Sequence, residues 1–525
     1  MTTPPLPRLP LGIQTFEIIR EGGYLYVDKT ALIHRMTHDY KYVFLSRPRR
    51  FGKSLLCSTL KSYFEGRRDL FQGLAMEQLE TEWRQHPVLL FSLASMKSGT
   101  VEEFNDRINM QLSRYEEQYG VKKVASTPGG RMQALIEKAP ASMGGEKAVV
   151  IIDEYDAPLL TVLHDPERLE QMRTATRSLF GCLKDCDPYL RFTFLTGITK
   201  FSQVSIFSEL NNLFKISMLP RYSALCGITQ KELETQMLPR VEQLARDMGV
   251  TVEETLQRLK ANYDGYHFAE DLTDIYNPYS LLNAFDWGKM NDFWFDTGTP
   301  SSVTQMMRKY DKGVMRFDDG CTCNASEFDA PTEKMVNPLP FLYQSGYLTI
   351  KEYNRVTDRY VLKYPNAEVR NGMLQTLIPY YVEQDSVETN SVVADVYEAI
   401  LADDLDTALR TLQAYLASVP YAEHATSEGH YQTMLYVVFS LLGRYMQMEV
   451  RTARGRIDLL LSNRTDLYVM ELKLDRPAAE ALAQIDQKGY LLPYTLDGRR
   501  LHKVGIAFST ESRTLSEWQI EEPKP

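Results

Sequence analysis

Apolar and polar positions in the first part of the chain follow the pattern of an α/β domain. Continuous apolar runs at residues 42–45 and 148–152 predict buried strands, as does a run at 190–195 that contains an arginine and a threonine. Helical patterns at residues 55–64 and 166–183 stand between them. Strands that are apolar on both faces are typical of a parallel sheet covered by helices on each side. The pattern therefore predicts a three-layer parallel α/β fold.

The pattern changes after residue 225. Residues 229–263 are rich in charge, with apolar positions at near-helical spacing, and predict a helical lid or the start of a regulatory subdomain. Residues 347–362 predict a hairpin that follows a short helix, which together suggest a winged-helix-like unit. Because this unit lacks a dense basic helix, a packing or coupling role is expected. Two amphipathic helices are expected between residues 390 and 418. The predicted divisions are residues 1–225, 226–395 and 396–525.

Length and composition are those of an ordinary globular protein. A chain of 525 residues is too long for one core, and its content of 44% hydrophobic and 24% charged residues is average. No apolar stretch approaches the roughly 20 residues that span a bilayer, and no secretory signal is evident, so we expect a cytoplasmic location without a membrane. The six cysteines have neither zinc-site nor disulfide-framework spacing. The net charge of −10 excludes a surface that is basic throughout, but it allows a local basic groove.

The segment that follows the first apolar run resembles a phosphate-binding loop. In the pattern G-x-x-x-x-G-K-[ST], backbone N–H groups cradle phosphate, the lysine reaches the β- and γ-oxygens, and the hydroxyl binds Mg²⁺. Residues 47–54 read Arg-Pro-Arg-Arg-Phe-Gly-Lys-Ser and precede a helical pattern. Gly52, Lys53 and Ser54 match the motif. These residues are therefore candidate ATP ligands, with Ser54 also a candidate metal ligand.

The loop departs from the motif at its first position. Arg47 stands where the pattern has glycine, and a side chain at such a corner restricts the backbone. Arg49 and Arg50 could compensate by adding positive charge near the phosphates. The alternative is a surface turn with a basic cluster.

A second element favours nucleotide binding over a surface turn. The buried strand at residues 148–152 ends in Asp153 and Glu154, the arrangement called Walker B. Asp153 can hold Mg²⁺ through water, and Glu154 can orient or deprotonate an attacking water. Thr196 ends the next strand where related ATPases place a residue that senses the γ-phosphate, although it could equally cap the following segment.

Different chemistry is predicted near the C-terminus. A strand that starts at Asp458 leads through a turn into residues 467–474, where Glu471 and Lys473 are two apart and so share a face. Phosphodiester cleavage requires a metal that neutralises phosphate and supplies hydroxide, and carboxylates suit Mg²⁺ or Mn²⁺. Asp458 and Glu471 are therefore candidate metal ligands, and the Lys473 ammonium could position or activate water.

Several longer segments point to one family. They are residues 24–33 (Tyr-Leu-Tyr-Val-Asp-Lys-Thr-Ala-Leu-Ile), the loop at 47–55, 151–158 (Ile-Ile-Asp-Glu-Tyr-Asp-Ala-Pro), 195–200 (Leu-Thr-Gly-Ile-Thr-Lys), 263–266 (Tyr-Asp-Gly-Tyr), 276–279 (Tyr-Asn-Pro-Tyr) and 293–298 (Phe-Trp-Phe-Asp-Thr-Gly). In these segments the chain resembles the bacterial AAA-ATPase-like proteins that carry a PD-(D/E)xK nuclease-like domain at the C-terminus. The glycine-poor phosphate loop looks like that family's own form.

The resemblance implies a P-loop NTPase fold, a helical and winged-helix-like middle, and a restriction-endonuclease-like α/β domain. It also implies further site residues. Glu428, with Glu423 as a competitor, would supply another acidic metal ligand from the helix expected at residues 429–445. Gln484 and Lys488, which share one face of the helix after the second strand, would touch phosphate or water.

Together the two constellations predict an ATPase coupled to a metal-dependent endonuclease. Its cofactors would be ATP and Mg²⁺, with Mn²⁺ as an alternative at the nuclease site. Its substrate would be nucleic acid, DNA being the first expectation, and defence or mobile-element handling its setting. Two alternatives remain: a nucleotide-dependent switch or scaffold that binds nucleic acid or protein without cutting, and a nuclease whose phosphate loop is only structural. Oligomeric state stays open, and Arg221 is a weak candidate for an arginine finger in trans.

Overall fold

The structure is a computed structural model. It describes residues 6–94, 99–163, 165–199, 213–294, 317, 320–328, 337–373, 392, 395–396, 398–400, 402, 404–418, 446–452, 455–462, 465–496, 498–512 and 514–522. The chain divides into two compact units, the first comprising Met1–Asp311 with Met315–Val369 and the second Lys312–Val314 with Arg370–Pro525.

The first unit begins with an alternation of strands and helices. Its strands are β1 Tyr42–Ser46, β2 Val88–Ser92, β3 Ala148–Asp153, β4 Leu190–Gly197 and β5 Phe214–Lys215. Its helices up to β4 are α1 Phe16–Glu21, α2 Thr30–Asp39, α3 Lys53–Phe64, α4 Ala75–Leu79, α5 Val101–Gln118, α6 Pro128–Lys138, α7 Ala157–Thr161, α8 Pro166–Phe180 and α9 Cys182–Asp185. The helix predicted at residues 55–64 begins two residues earlier, at Lys53, and the one predicted at 166–183 is divided between α8 and α9.

The five strands form one parallel sheet in the order β2-β3-β4-β1-β5. Every residue of β3 is buried, which agrees with a strand covered on both faces. Since β4 lies between β1 and β3, the phosphate-loop strand and the acidic strand are separated by one strand. The carboxyl ends of β1, β3 and β4 therefore meet at one edge of the sheet, where ligands of open α/β sheets bind.

The rest of the first unit is mainly helical. Its elements are β6 Ile228–Thr229, α10 Gln230–Gln236, α11 Leu238–Met248, α12 Val252–Tyr263, β7 Ile275–Tyr276, α13 Pro278–Trp287, β8 Cys321–Asn324, α14 Ala325–Phe328, α15 Leu339–Ser345, β9 Thr349–Asn354 and β10 Arg359–Lys363. The apolar positions of the predicted helical stretch, among them Leu233, Val241 and Leu244, are buried in one cluster. The predicted hairpin is β9 with β10, and β8 extends it to a three-stranded antiparallel sheet.

The second unit is a mixed sheet with helices packed on it. Its elements are α16 Leu405–Ser418, β11 Met446–Thr452, β12 Gly455–Ser462, β13 Asp466–Leu474, α17 Ala478–Lys488, β14 Arg500–Ser509 and β15 Thr514–Glu521. The strands lie in sequence order, antiparallel except for the parallel pair β13 and β14. One buried cluster joins the sheet to α16 and another joins it to α17, so the sheet has an apolar core on each face.

Within the described ranges, no helix combines the length and apolar character needed to cross a bilayer. The helix predicted at residues 429–445 lies outside the described residues.

Candidate functional site

The loop between β1 and α3 places its two left-handed residues away from the position where the motif has its first glycine. Arg50 has φ 69° and Gly52 has φ 85°. Arg47 does not have a positive φ, so this position does not require glycine. The departure from the motif is therefore compatible with the loop backbone.

Arg47 anchors the loop. Its buried guanidinium donates hydrogen bonds to the carbonyl oxygens of Ser46 at 2.9 Å, Ser217 at 2.7 Å and Tyr222 at 3.1 Å. Its Cζ lies 4.2 Å from the centroid of the Phe268 ring, within cation–π range. Arg47 thus attaches the loop to residues far along the chain. It is not among the residues that line the cavity next to Lys53.

The three motif residues that follow bring the loop to the acidic strand. The buried Lys53 ammonium donates to the carbonyl oxygens of Arg47 at 3.0 Å and Pro48 at 2.9 Å, and burial lowers its pKa, opposed by the nearby Glu154 and Asp153. Ser54 Oγ donates to Asp153 Oδ2 at 2.6 Å. Asp153 Oδ1 is buried without a nitrogen or oxygen donor among the described residues. A hydroxyl next to a carboxylate with an unused oxygen is a fitting donor set for Mg²⁺.

Glu154 directly follows β3 and has a strained backbone conformation. Its φ of 54° is in the left-handed region, which is uncommon for a residue with a side chain. Burial raises its pKa, and the Lys53 ammonium opposes that rise. Glu154 lines the same cavity as Lys53 and Ser54, where a carboxylate could accept a proton from water.

Thr196 lies at the end of β4, between the two motif strands. It pairs with Leu45 of β1, and its carbonyl oxygen accepts a hydrogen bond from the backbone N–H of Tyr155 at 3.0 Å. Its hydroxyl oxygen is buried with no hydrogen-bond partner among the described residues. The sequence left open whether Thr196 senses the γ-phosphate or caps the following segment. In the structure its hydroxyl makes no capping hydrogen bond to a described residue.

A cavity of about 590 Å³ opens in front of the loop. Of the predicted ligands, Arg49, Arg50, Gly52, Lys53, Ser54 and Glu154 line it, whereas Asp153 and Thr196 lie outside the lining. The rest of the lining consists of residues that the motif analysis did not assign to the site, including Gln14, Tyr279, Trp294, Ser345 and Tyr347. Tyr279 and Trp294 lie in segments that carried the family resemblance. These segments were the sequence feature that could have indicated the two residues as part of the site.

The middle region holds Arg50 at this cavity. The Arg50 Cζ lies 3.8 Å from the Tyr279 ring centroid, and its guanidinium donates to the carbonyl oxygens of Phe293 and Trp294 at 3.4 and 3.3 Å. Behind them, the buried Glu368 carboxylate accepts hydrogen bonds from the Trp294 N–H and the Ser280 hydroxyl, both at 2.8 Å. Burial raises the pKa of Glu368 to about 8. The predicted helical and winged-helix-like middle thus supplies one wall of the candidate nucleotide site.

In the second unit, the predicted carboxylates come together on adjacent strands. Leu459 of β12 pairs with Met470 of β13, so Asp458 and Glu471 are next in register. Asp458 Oδ2 accepts a hydrogen bond from the backbone N–H of Leu472 at 2.9 Å. Glu471 is buried, and its Oε2 has no hydrogen-bond partner within the described part of the chain.

Lys473 and Gln484 complete this cluster. The Lys473 ammonium donates to Glu471 Oε1 at 3.2 Å, as expected for side chains on one strand face, and the Gln484 amide donates to the same oxygen. Gln484 reaches it because α17 packs very close to β14. A Cβ at Gly505, which is the register partner of Glu471, would lie 2.2 Å from the carbonyl oxygen of Ala478. Glycine at position 505 is therefore what allows the helix to approach.

The charges of this cluster fit a divalent cation. Burial and the neighbouring Asp458 raise the pKa of Glu471 to about 7, and the Lys473 ammonium offsets that rise only in part. Two carboxylates with an unused buried oxygen are the donor type that Mg²⁺ and Mn²⁺ prefer. The further ligand expected from Glu428 or Glu423 lies outside the described residues.

The pKa of Glu471 gives a prediction for stability against pH. A carboxyl group with a raised pKa in the folded state stabilises the protein fully below its unfolded value, near 4.5, and this stability is lost as the pH rises through 7. The apparent melting temperature of metal-free Glu471→Gln should therefore rise relative to wild type between pH 5 and pH 8. Over this range the free energy of unfolding of the variant relative to wild type should rise by about 1–3 kcal/mol.

The matched control is Glu480→Gln, on the exposed side of α17. Its melting temperature should follow wild type across the same range. A difference between Glu471→Gln and wild type that stays constant with pH would contradict the raised pKa.

The first unit has the sheet, loop and acidic strand of a P-loop NTPase, and the second has the strand pair and carboxylates of a PD-(D/E)XK fold. Comparisons with known proteins agree. Residues 10–207 match the family described as a predicted AAA-ATPase, and residues 426–518 match the PD-(D/E)XK nuclease superfamily. A protein of Azotobacter chroococcum mcd 1, named an uncharacterized protein in the vnfD 5′ region, is 35% identical over 532 residues, covering 98% of this chain and 99% of its own. The chain belongs to the AAA-ATPase-like family with a C-terminal PD-(D/E)XK domain.

Proposed function

We propose that this protein binds and hydrolyses ATP in its first unit and uses nucleotide binding to control Mg²⁺-dependent cleavage of nucleic acid, with DNA as the first substrate to test, by its C-terminal domain. In the proposed division, residues 1–225 form the ATPase domain, 226–395 the middle region and 396–525 the nuclease-like domain. The observation that carries the proposal is that Lys473 and Gln484 both contact the buried Glu471 carboxylate, with Asp458 next in register on the adjacent strand.

The proposed roles in the C-terminal domain follow from these contacts. Asp458 and Glu471 would hold the cation, which supplies charge neutralisation and an acidified water. Lys473 would orient the attacking water and offset charge that develops on the phosphate. Gln484 keeps Glu471 in position through its hydrogen bond.

The proposed roles in the first unit follow from the loop and the acidic strand. Lys53 would exchange its contacts with the carbonyls of Arg47 and Pro48 for phosphate oxygens. Ser54 and Asp153 would hold Mg²⁺, and Glu154 would deprotonate water. Arg49 and Arg50 add positive charge, and Thr196 offers an unused hydroxyl close to the same sheet edge.

Coupling can be tested by adding ATP to a plasmid-nicking assay with Mg²⁺. The middle region contacts Arg50 of the phosphate loop. A nucleotide bound at the loop would therefore act on the loop and on the middle region. We expect ATP to increase nicking by the wild-type protein by about tenfold, within the usual range of coupling between two sites. Lys53→Ala should nick equally with and without ATP, and Glu471→Gln should not nick in either condition.

A non-hydrolysable ATP analogue separates binding from hydrolysis as the trigger. Nicking that is the same with and without nucleotide in the wild type would contradict coupling while leaving the nuclease intact. Retention of plasmid on the protein without nicking, under every metal and nucleotide condition, would instead favour a switch or scaffold.

A further inference from the structure

A second constellation of metal-ligating side chains lies in the first unit, away from the phosphate loop. His34 and His38 are one turn apart on α2 and therefore share a face. Glu80 follows the last residue of α4, which packs on α2. One ligand atom from each of the three residues lies within 4.8 Å of the other two.

The distances are close to those of a bound cation. His34 Nε2 lies 3.9 Å and His38 Nε2 lies 3.8 Å from the same oxygen, Glu80 Oε2. Ligands about 2.0–2.2 Å from a tetrahedral Zn²⁺ are about 3.4 Å apart, so small side-chain rotations would close the site. Two imidazoles and one carboxylate leave a fourth position for water, the ligand set of many zinc sites.

The surrounding contacts orient these ligands as metal sites do. His38 Nδ1 lies 2.8 Å from the carbonyl oxygen of His34, which favours a proton on Nδ1 and leaves Nε2 as the electron-pair donor. The Tyr63 hydroxyl donates to Glu80 Oε2 at 2.5 Å, and the Glu82 N–H donates to Oε1 at 2.9 Å. Metal-binding carboxylates are usually held by such outer hydrogen bonds.

The ring positions agree with this arrangement. The two imidazoles are stacked, with their centroids 4.0 Å apart, and both Nε2 atoms lie within 4 Å of Glu80 Oε2. The His34 side chain is 19% exposed and that of His38 is 44% exposed, so the site can be reached from solvent.

We propose that His34, His38 and Glu80 bind a divalent transition metal of the zinc class. Imidazole nitrogens favour Zn²⁺, Co²⁺ or Ni²⁺ over Mg²⁺, so this site differs in chemistry from the carboxylate cluster of the second unit. Tyr63 belongs to α3, the helix that begins at Lys53 of the phosphate loop. The metal would thus fasten α2 and α4 to the far end of that helix. The inference does not depend on the proposed catalytic function.

The test is equilibrium binding of Co²⁺ and Zn²⁺ to the untagged full-length protein after chelator treatment. We expect one high-affinity Co²⁺ per chain, with the intense visible absorption of a tetrahedral nitrogen–oxygen site, and displacement by Zn²⁺. His34→Gln, His38→Gln and Glu80→Gln should each weaken binding by about 100-fold. Tyr63→Phe, which removes only an outer hydrogen bond, should weaken it by about tenfold.

Two controls separate this site from other metal binding. Arg35→Ala changes an exposed residue of the same helix and should bind Co²⁺ as wild type does. The Asp458→Asn, Glu471→Gln double variant removes the carboxylate pair of the second unit and should keep the tetrahedral spectrum.

Thermal melting gives a second measurement that does not depend on absorption. Zn²⁺ should raise the melting temperature of wild type and Arg35→Ala but not that of His38→Gln. His38 is more exposed than His34, so this variant is usable even if the His34 change prevents folding. Unchanged Co²⁺ affinity in both His38→Gln and Glu80→Gln would overturn the proposal, as would binding to the wild type only at millimolar metal.

Discussion

Glu471→Gln is expected to lower Mg²⁺-dependent plasmid nicking by at least about 10³-fold, because it removes a ligand of the metal ion that would supply several kcal/mol of charge stabilisation, and each 1.36 kcal/mol is a factor of ten. The substitution keeps the size of the side chain and can still contact Gln484, so the loss would come from the missing negative charge. Nicking is measured over time at pH 8 with Mg²⁺ and, in parallel, Mn²⁺. The deprotonated form of Glu471 prevails at this pH because its pKa is about 7.

A second variant and a control define what the result means. Lys473→Ala should also abolish nicking while leaving the two carboxylates in place, since its ammonium contacts Glu471 Oε1. Glu480→Gln, on the exposed side of α17, should nick at the wild-type rate. Persistent nicking by both Glu471→Gln and Lys473→Ala would show that the catalytic site lies elsewhere or that the activity is a contaminant.

The C-terminal cluster shows how much of a site can be predicted from local sequence patterns. The alternation within β13 fixes Glu471 and Lys473 on one face, and the turn after β12 brings Asp458 opposite, so these three positions follow from strand periodicity. The family resemblance led us to expect Gln484 to touch phosphate or water, and in the structure its amide contacts Glu471. The reason for that contact is Gly505, on a strand that follows α17, and no local pattern signals so close an approach.

The phosphate loop shows where local reasoning stops. The motif and the helix start point to Gly52, Lys53 and Ser54, which line the cavity, but Arg47 could only be noted as a departure from the motif. Its partners, Ser217, Tyr222 and Phe268, are about 170 to 220 positions away, and a buried guanidinium is stable there only because three carbonyls and an aromatic face surround it. Such long-range compensation cannot be derived from spacing.

The part of the cavity lining outside the loop was missed for the same reason. Tyr279 and Trp294 have no chemistry that marks them as ligands, and they meet Arg50 only through the packing of the middle region. Glu368, which holds Trp294 and Ser280, stands in a segment that carried no motif. The structure thus connects the middle region to the candidate nucleotide site, whereas the sequence favoured only a general packing or coupling role.

Lys53→Ala is expected to weaken ATP binding by about 10- to 100-fold, because a charged hydrogen-bond donor to phosphate contributes about 1.5–3 kcal/mol. Glu154→Gln is expected to bind ATP normally and to hydrolyse it about 10²- to 10⁴-fold more slowly, the usual contribution of a general base. Binding is measured with radiolabelled ATP and Mg²⁺, and hydrolysis by phosphate release.

The two variants distinguish a nucleotide site from a structural loop if a control variant keeps both ATP binding and hydrolysis. Lys61→Ala removes a lysine from the solvent-exposed side of α3, where it pairs with Glu65, and should leave both measurements unchanged. ATP binding that is the same in wild type and Lys53→Ala would mean that the Lys53 ammonium serves only to close the loop through the carbonyls of Arg47 and Pro48. The strained backbone of Glu154 would then have no catalytic explanation, because Glu154 can act as a base at this cavity only when Lys53 holds a phosphate there.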